Sequence, residues 1–136
     1  MTDSFQQHLK SAKLLLQQMP AWKREAMGVH TMDVKKLRMY ILVKEDVPQG
    51  IAITAAAHSS LACFLKYSEV EDMKSWVAGV FYKVVCKVSE SEFEMAKLVP
   101  DNVVMTESSL DGKEVAIAFC PREEFPKGFK FFKLWK

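Results

Sequence analysis

The sequence predicts an α/β protein: a small mixed four-stranded sheet with helices on both faces. Three observations carry that expectation. Met39-Tyr-Ile-Leu-Val43 is an uninterrupted apolar run of strand length, which suits a strand buried on both sides. Pro48 and Gly50 end it, and Ile51 to Phe64 follows as a helix of small residues with almost no long polar side chains. Further on, valine-rich Tyr82–Val88 lies between helical stretches, and Val103–Thr106 and Val115–Phe119 face each other across Asp111-Gly112, a pair suited to a hairpin turn. Strands alternating with helices require a mostly buried sheet with right-handed crossovers.

Taken in order, Ser4 to Met19 carries Phe5, Leu9, Ala12, Leu16 and Met19 at helical spacing, and Ser4 with Gln7 forms a capping box. Pro20 suits the first turn of a second short helix and Gly28 its exit. These two helices, residues 1–30, read as an appendage, leaving residues 31–136 as one compact α/β domain. After the first strand and its helix, Ser68 and Glu71 form a second capping box, with Val70, Met73 and Trp76 on one helical face. Ser89 or Ser91 caps a further helix through Leu98, and Pro100 and Asn102 turn the chain into the last two strands.

The chain's 136 residues fit one domain with one sizeable core. With 49% hydrophobic and 26% charged residues the composition is that of an ordinary soluble protein. A net charge of +2 argues for nucleic acid only where positive charges cluster. The first residues lack the basic-then-apolar layout of a signal peptide, and no apolar run reaches membrane-spanning length, so a cytoplasmic location is expected. Cys63, Cys86 and Cys120 are odd in number and set in apolar sequence, as core thiols are. His8, His30 and His58 lack matched ligand spacing, so neither a metal nor a cofactor is expected. Nucleotide-binding, dinucleotide, serine-hydrolase and zinc-protease signatures are all absent from the sequence.

The segment Arg38–Phe64 resembles the entry motif of the type II (archaeal and eukaryotic) peptidyl-tRNA hydrolases. There a strand ending in R-x-D-L leads into G-K-G-K-I-A-A-Q-C-x-H-A-A, and here Lys44, Asp46, Gly50, Ala52 and His58 fall on matching positions. The similarity is closer to the divergent peptidyl-tRNA hydrolase domain-containing branch, which has P-x-G in place of the G-K-G-K run. Lys83–Val88, Glu107 with Glu114–Ala118, and the ending Phe129–Lys136 are similar to that branch too. The resemblance spans about residues 38–136 and implies the small four-stranded α/β fold. It also implies a site for a tRNA ester, built from a lysine and a glutamine on the loop and first helix and an aspartate and threonine from a later D-A-G-x-T-Q-I loop. This sequence departs from that set. The lysine falls on Ile51, with Gln49 at the other basic position, the glutamine falls on Ala55, and Thr106-Glu-Ser-Ser-Leu-Asp-Gly112 replaces the later loop. Isoleucine and alanine neither activate water nor stabilise an oxyanion, so hydrolysis does not carry over with the fold.

The expected site is therefore a remodelled one that binds tRNA or an acylated ligand. His58 and Glu107 are its candidate catalytic groups, and Lys44, Asp46, Gly50 and Thr106 its candidate ligand-binding residues. The competing reading of His58 packs it against the sheet, donating to a backbone carbonyl. That of Lys44 puts it in a surface ion pair with Asp46 or Glu107. In the tail, Lys127, Lys130, Lys133 and Lys136 interleave with large apolar residues, the pattern of a strip for single-stranded nucleic acid or a tRNA end. Rings docked on the domain with lysine stems directed outward is the alternative. Two other functions remain open: a non-catalytic protein-interaction module, with the N-terminal helices pairing two copies into a homodimer, and a hydrolase of a different small substrate.

Overall fold

The computed structural model describes residues 2–18 and 36–136. The chain divides into two compact units, Met1–Lys36 and Leu37–Lys136. In the first, α1 spans Thr2–Gln18. It starts ahead of Ser4, so Ser4 lies inside the helix, where its carbonyl faces His8 Nδ1 at 2.8 Å. The expected second helix from Pro20 and the expected boundary at residues 30–31 fall outside the described residues.

In the second unit the apolar run forms β1, Met39–Lys44, at the centre of the sheet. On one side it pairs in parallel with β2, Lys83–Val88, from Met39↔Lys83 to Lys44↔Val88. On the other it pairs antiparallel with β4, Lys113–Phe119, through Ile41↔Ala118 and Val43↔Ala116. β3, Asn102–Glu107, lies outside β4 and antiparallel to it. The α/β class and the mixed sheet follow the sequence reading; the strand number does not. The sheet has five strands in the order β3-β4-β1-β2-β5, because Lys133–Leu134 of the tail forms β5, antiparallel to β2. A two-residue strand has too little pattern to be visible in sequence.

Alternation along β1 builds two cores. Met39, Ile41 and Val43 face one layer with Ala52, Ala55, Cys63, Met73 and Trp76. Tyr40 and Leu42 face the other with Val88, Phe93, Phe119 and Phe129. The first layer is covered by α2, Gln49–Lys66, and α3, Glu71–Ala78. α2 buries Ala52, Ala55, Ser59 and Cys63, small residues at helical spacing that let its backbone approach the sheet closely. The buried Ser59 hydroxyl is satisfied by donating to the Ala55 carbonyl at 2.7 Å. α3 begins after Val70, whose side chain caps nothing, so the Ser68–Glu71 capping box is not formed.

The second layer is covered by α4, Glu90–Ala96, and by the tail. Ser89 caps α4 with a complete capping box: its hydroxyl accepts from Glu92 N, and Glu92 Oε1 accepts from Ser89 N at 2.8 Å. The helix ends at Ala96, two residues short of the expected Leu98. A 3-10 turn at Lys127–Phe131 seats Phe129 among Tyr40, Phe119 and Phe125.

The β3–β4 connection is longer than a two-residue hairpin. A 3-10 turn at Ser108–Leu110 precedes Asp111 and Gly112, whose φ angles of 57° and 72° are both left-handed. At the start of β4 the pairing passes from Met105↔Ala116 to Thr106↔Glu114, leaving Val115 as the extra residue of a β-bulge.

Candidate functional site

β1 ends at Lys44, and the chain turns through Asp46, Val47 and Pro48 into α2. Pro48 supplies no side-chain cap, and the first intrahelical bond runs from Ala52 N to Pro48 O at 2.8 Å. The amides of Gln49, Gly50 and Ile51 therefore have no intrahelical acceptor. Beside this turn a cleft of about 590 Å3 opens at the carboxyl end of β1. Lys44, Asp46, Val47 and Pro48 form one wall, Glu90 and Glu94 of α4 a second, and Leu110 with Lys113–Val115 of the β3–β4 hairpin a third. Crevices at strand carboxyl ends are where open α/β sheets usually bind ligands.

The cleft is polar and more acidic than basic. Asp46, Glu90, Glu94 and Glu114 face it against Lys44 and Lys113. Lys44 Nζ lies 3.1 Å from Glu90 Oε1 and 4.7 Å from the centre of the Phe93 ring. Its side chain is only 13% exposed, so the ammonium is held between the carboxylate and the ring face. Lys44 is thus ion-paired with Glu90, not with Asp46 or Glu107. Lys97 Nζ reaches Glu114 at 2.7 Å and Glu94 at 3.4 Å, tying α4 to β4 across the back of the cleft. The hydrogen bond to Glu114 raises the Lys97 pKa above its ordinary value, and the nearby charges of Glu114 and Glu94 add to it.

Of the residues singled out in the sequence, Lys44 and Asp46 line this cleft. Gly50 is exposed in the first turn of α2, with open space where a side chain would be. Thr106 is exposed beside the bulge. His58 lies on the exposed side of α2, because Ala55 and Ser59 take the inward positions; the reading that packs it against the sheet is overturned. Glu107 caps the Ser108–Leu110 turn, accepting from Ser109 Oγ at 2.8 Å and Ser109 N at 3.1 Å. Those two bonds, hydroxyl first, hold its carboxyl below the ordinary range, and the charge of His58 adds to the effect. Neither His58 nor Glu107 lines the cleft. Ile51 is packed against the first core and Ala55 is buried in it.

Glu90, Glu94, Lys97 and Lys113 were not singled out in the sequence. The one signal available was the capping box, which fixes the start of α4 and hence the position of Glu90. In the tail, Lys127, Lys130, Lys133 and Lys136 are all exposed. Phe129 is docked and Phe132 and Trp135 half-buried, whereas Phe131 is 76% exposed.

The three cysteines are free and buried. Burial pushes the Cys63 thiol up to about 12 and those of Cys86 and Cys120 up to about 11, so all three are neutral near pH 7. Among the described residues, no group of three or more His, Cys, Asp or Glu side chains could hold a metal ion, and no helix is long and apolar enough to cross a membrane. No protein-family model matches this chain, and no curated protein does.

Proposed function

We propose that this chain is a protein of type II peptidyl-tRNA hydrolase-like architecture that binds an acylated ligand in the cleft beside β1 without hydrolysing it. The observation that carries the reading is the fate of Ile51 and Ala55, the positions onto which the family's lysine and glutamine fall. Ile51 packs against the first core and Ala55 is only 2% exposed within it. Neither can polarise water or donate to an oxyanion. Glu107 is engaged by Ser109 outside the cleft, so it is not placed as a substitute base.

The cleft still suits recognition. Lys113 in its wall offers a donor to an acyl carbonyl. Asp46 and the carboxylates of α4 and β4 favour a ligand with an ammonium or other donor group over a polyanion. Any tRNA contact then falls to the exposed lysines of the tail: Lys127, Lys130, Lys133 and Lys136.

The test is incubation of the purified full chain with a peptidyl-tRNA, following both retention and ester cleavage. Retention without cleavage is expected, with Asp46→Asn weakening it. Turnover at the level of an active type II hydrolase overturns the reading.

A further inference from the structure

A second cavity, of about 270 Å3, lies on the α2 face of the sheet beside the β2–β5 edge. Val43, Val85 and Trp135 line it from the sheet, and Ala52, Ile53 and Ala56 from α2. All six side chains are apolar. α2 packs mainly over β4, β3 and β1, which leaves the half-face supplied by β2 and β5 thinly covered. Ile53 is accordingly 62% exposed at the groove wall.

Strand register brings charge to the rim. Alternation along β2 puts Lys87 on the same face as Val85. Lys133 of β5 is the direct cross-strand partner of Lys87, and such partners project to the same face. Trp135 follows two residues later, its amide bonded to the Val85 carbonyl at 2.9 Å. Lys87 Nζ stands 4.6 Å from the centre of the Trp135 ring and 3.5 Å from the Lys136 carbonyl. Among the described residues, Lys133 makes no ion pair with an Asp or Glu side chain, and Lys87 is held only by the Trp135 ring face and the Lys136 oxygen. Two like charges directly opposite in a sheet are destabilising, and an anion placed between them offsets that repulsion.

We infer that this groove binds a straight-chain aliphatic carboxylate, its chain along Val43, Val85, Ile53 and Trp135 and its carboxylate between Lys87 and Lys133. At about 30 Å3 for each water-sized group, the volume holds roughly nine heavy atoms, the size of a chain of about eight to ten carbons. The two ammonium groups select an anionic head, and the apolar lining selects an unbranched saturated tail over a sugar or a base. The groove shares no lining residue with the cleft, and of the residues in the two readings only Lys133 serves both, so decanoate binding can fail while ligand retention in the cleft stands, and the reverse.

The experiment titrates the full chain with octanoate, decanoate and, as the uncharged control, decanol. Binding is followed by calorimetry and by tryptophan fluorescence, with Trp135→Phe identifying the signal from Trp135. Each added methylene should tighten binding about fourfold, so decanoate should bind about fifteenfold more tightly than octanoate. The double variant Lys87→Gln, Lys133→Gln should weaken decanoate at least tenfold and leave decanol unchanged. Ala56→Phe should abolish both by filling the groove. Should that variant fail to fold, Ile53→Glu puts a carboxylate on the exposed wall and should do the same. Absence of decanoate binding, equal affinity for the two chain lengths, or an unaltered affinity in the lysine double variant overturns the inference. So does single-stranded RNA that binds through Lys87 and Lys133 while decanoate leaves Trp135 unaffected.

Discussion

Glu107 is held by Ser109, two residues further along the chain, through both a hydroxyl and an amide hydrogen bond. A carboxylate that accepts two donors is a weak base, because protonation must break or weaken both bonds. The residue that sequence marks as the leading carboxylate is in the structure a turn cap.

Ser109→Ala removes the stronger of those bonds and should move the Glu107 pKa up toward its ordinary value of 4.5. The Glu107 carboxyl resonance, followed by NMR across acidic pH, reads the shift. In the parent protein the folded-state pKa lies below the unfolded one. Stabilisation by this group is therefore present above pH 4.5 and lost as pH falls through the lowered value. An identical midpoint in parent and variant would remove the capping account.

Lys97 behaves oppositely. Its pKa is raised by Glu114, so the stabilisation it provides is complete below the ordinary lysine value of 10.5 and is lost as pH rises through the higher folded value. Glu114→Gln should remove most of that alkaline dependence, Glu94 keeping the rest, and should lower stability near neutral pH by the same small amount, because the pair is solvent-accessible. Thermal melts from pH 8 to 11 compare the two proteins.

The tail aromatics should separate sharply. Phe129 is 4% exposed and stacks on Phe125 with ring centres 5.3 Å apart, whereas Phe131 is 76% exposed. Phe129→Ala should cost about 3–5 kcal/mol by cavity formation. Phe131→Ala should stay within about 0.5 kcal/mol. Equilibrium urea denaturation measures both, and comparable losses would show that Phe131 is packed in solution.

Replacing Lys127, Lys130, Lys133 and Lys136 by glutamine should leave the thermal midpoint nearly unmoved, since all four are exposed. If they contact the phosphates of tRNA, the slope of log affinity against log salt should fall by up to about 3, at roughly 0.7 for each single-strand contact. Filter binding between 50 and 200 mM salt measures the slope. An unaltered slope removes these lysines from any tRNA contact.

The cysteines supply a check on packing. With thiols raised to about 12, 11 and 11 and buried, Cys63, Cys86 and Cys120 should resist a thiol-directed disulfide reagent at pH 8 in the folded protein. All three should react at once in guanidinium. Rapid modification of the native protein would show that the two cores open readily.

By itself the sequence determined the α/β class, the four longer strands and the helices between them. The uninterrupted run Met39–Val43 dictates a strand covered on both faces, because every one of its side chains, whichever way it points, is apolar. The small-residue run Ile51–Phe64 dictates a closely packed helix, and Ser89 or Ser91 a cap at the start of α4, since these signals are local. Tertiary structure decided what no local pattern encodes. It paired Lys133–Leu134 with β2 as a fifth strand, turned His58 outward, and gave Lys44 to Glu90, a residue 46 positions away in the chain. It also gathered Asp46, Glu94 and Glu114 from three separate elements into one cleft, and set Lys87 opposite Lys133 beside an apolar groove. Such placements depend on strand register and helix docking. These follow from the sum of many weak packing contacts over the whole sheet, so no single stretch of sequence carries them.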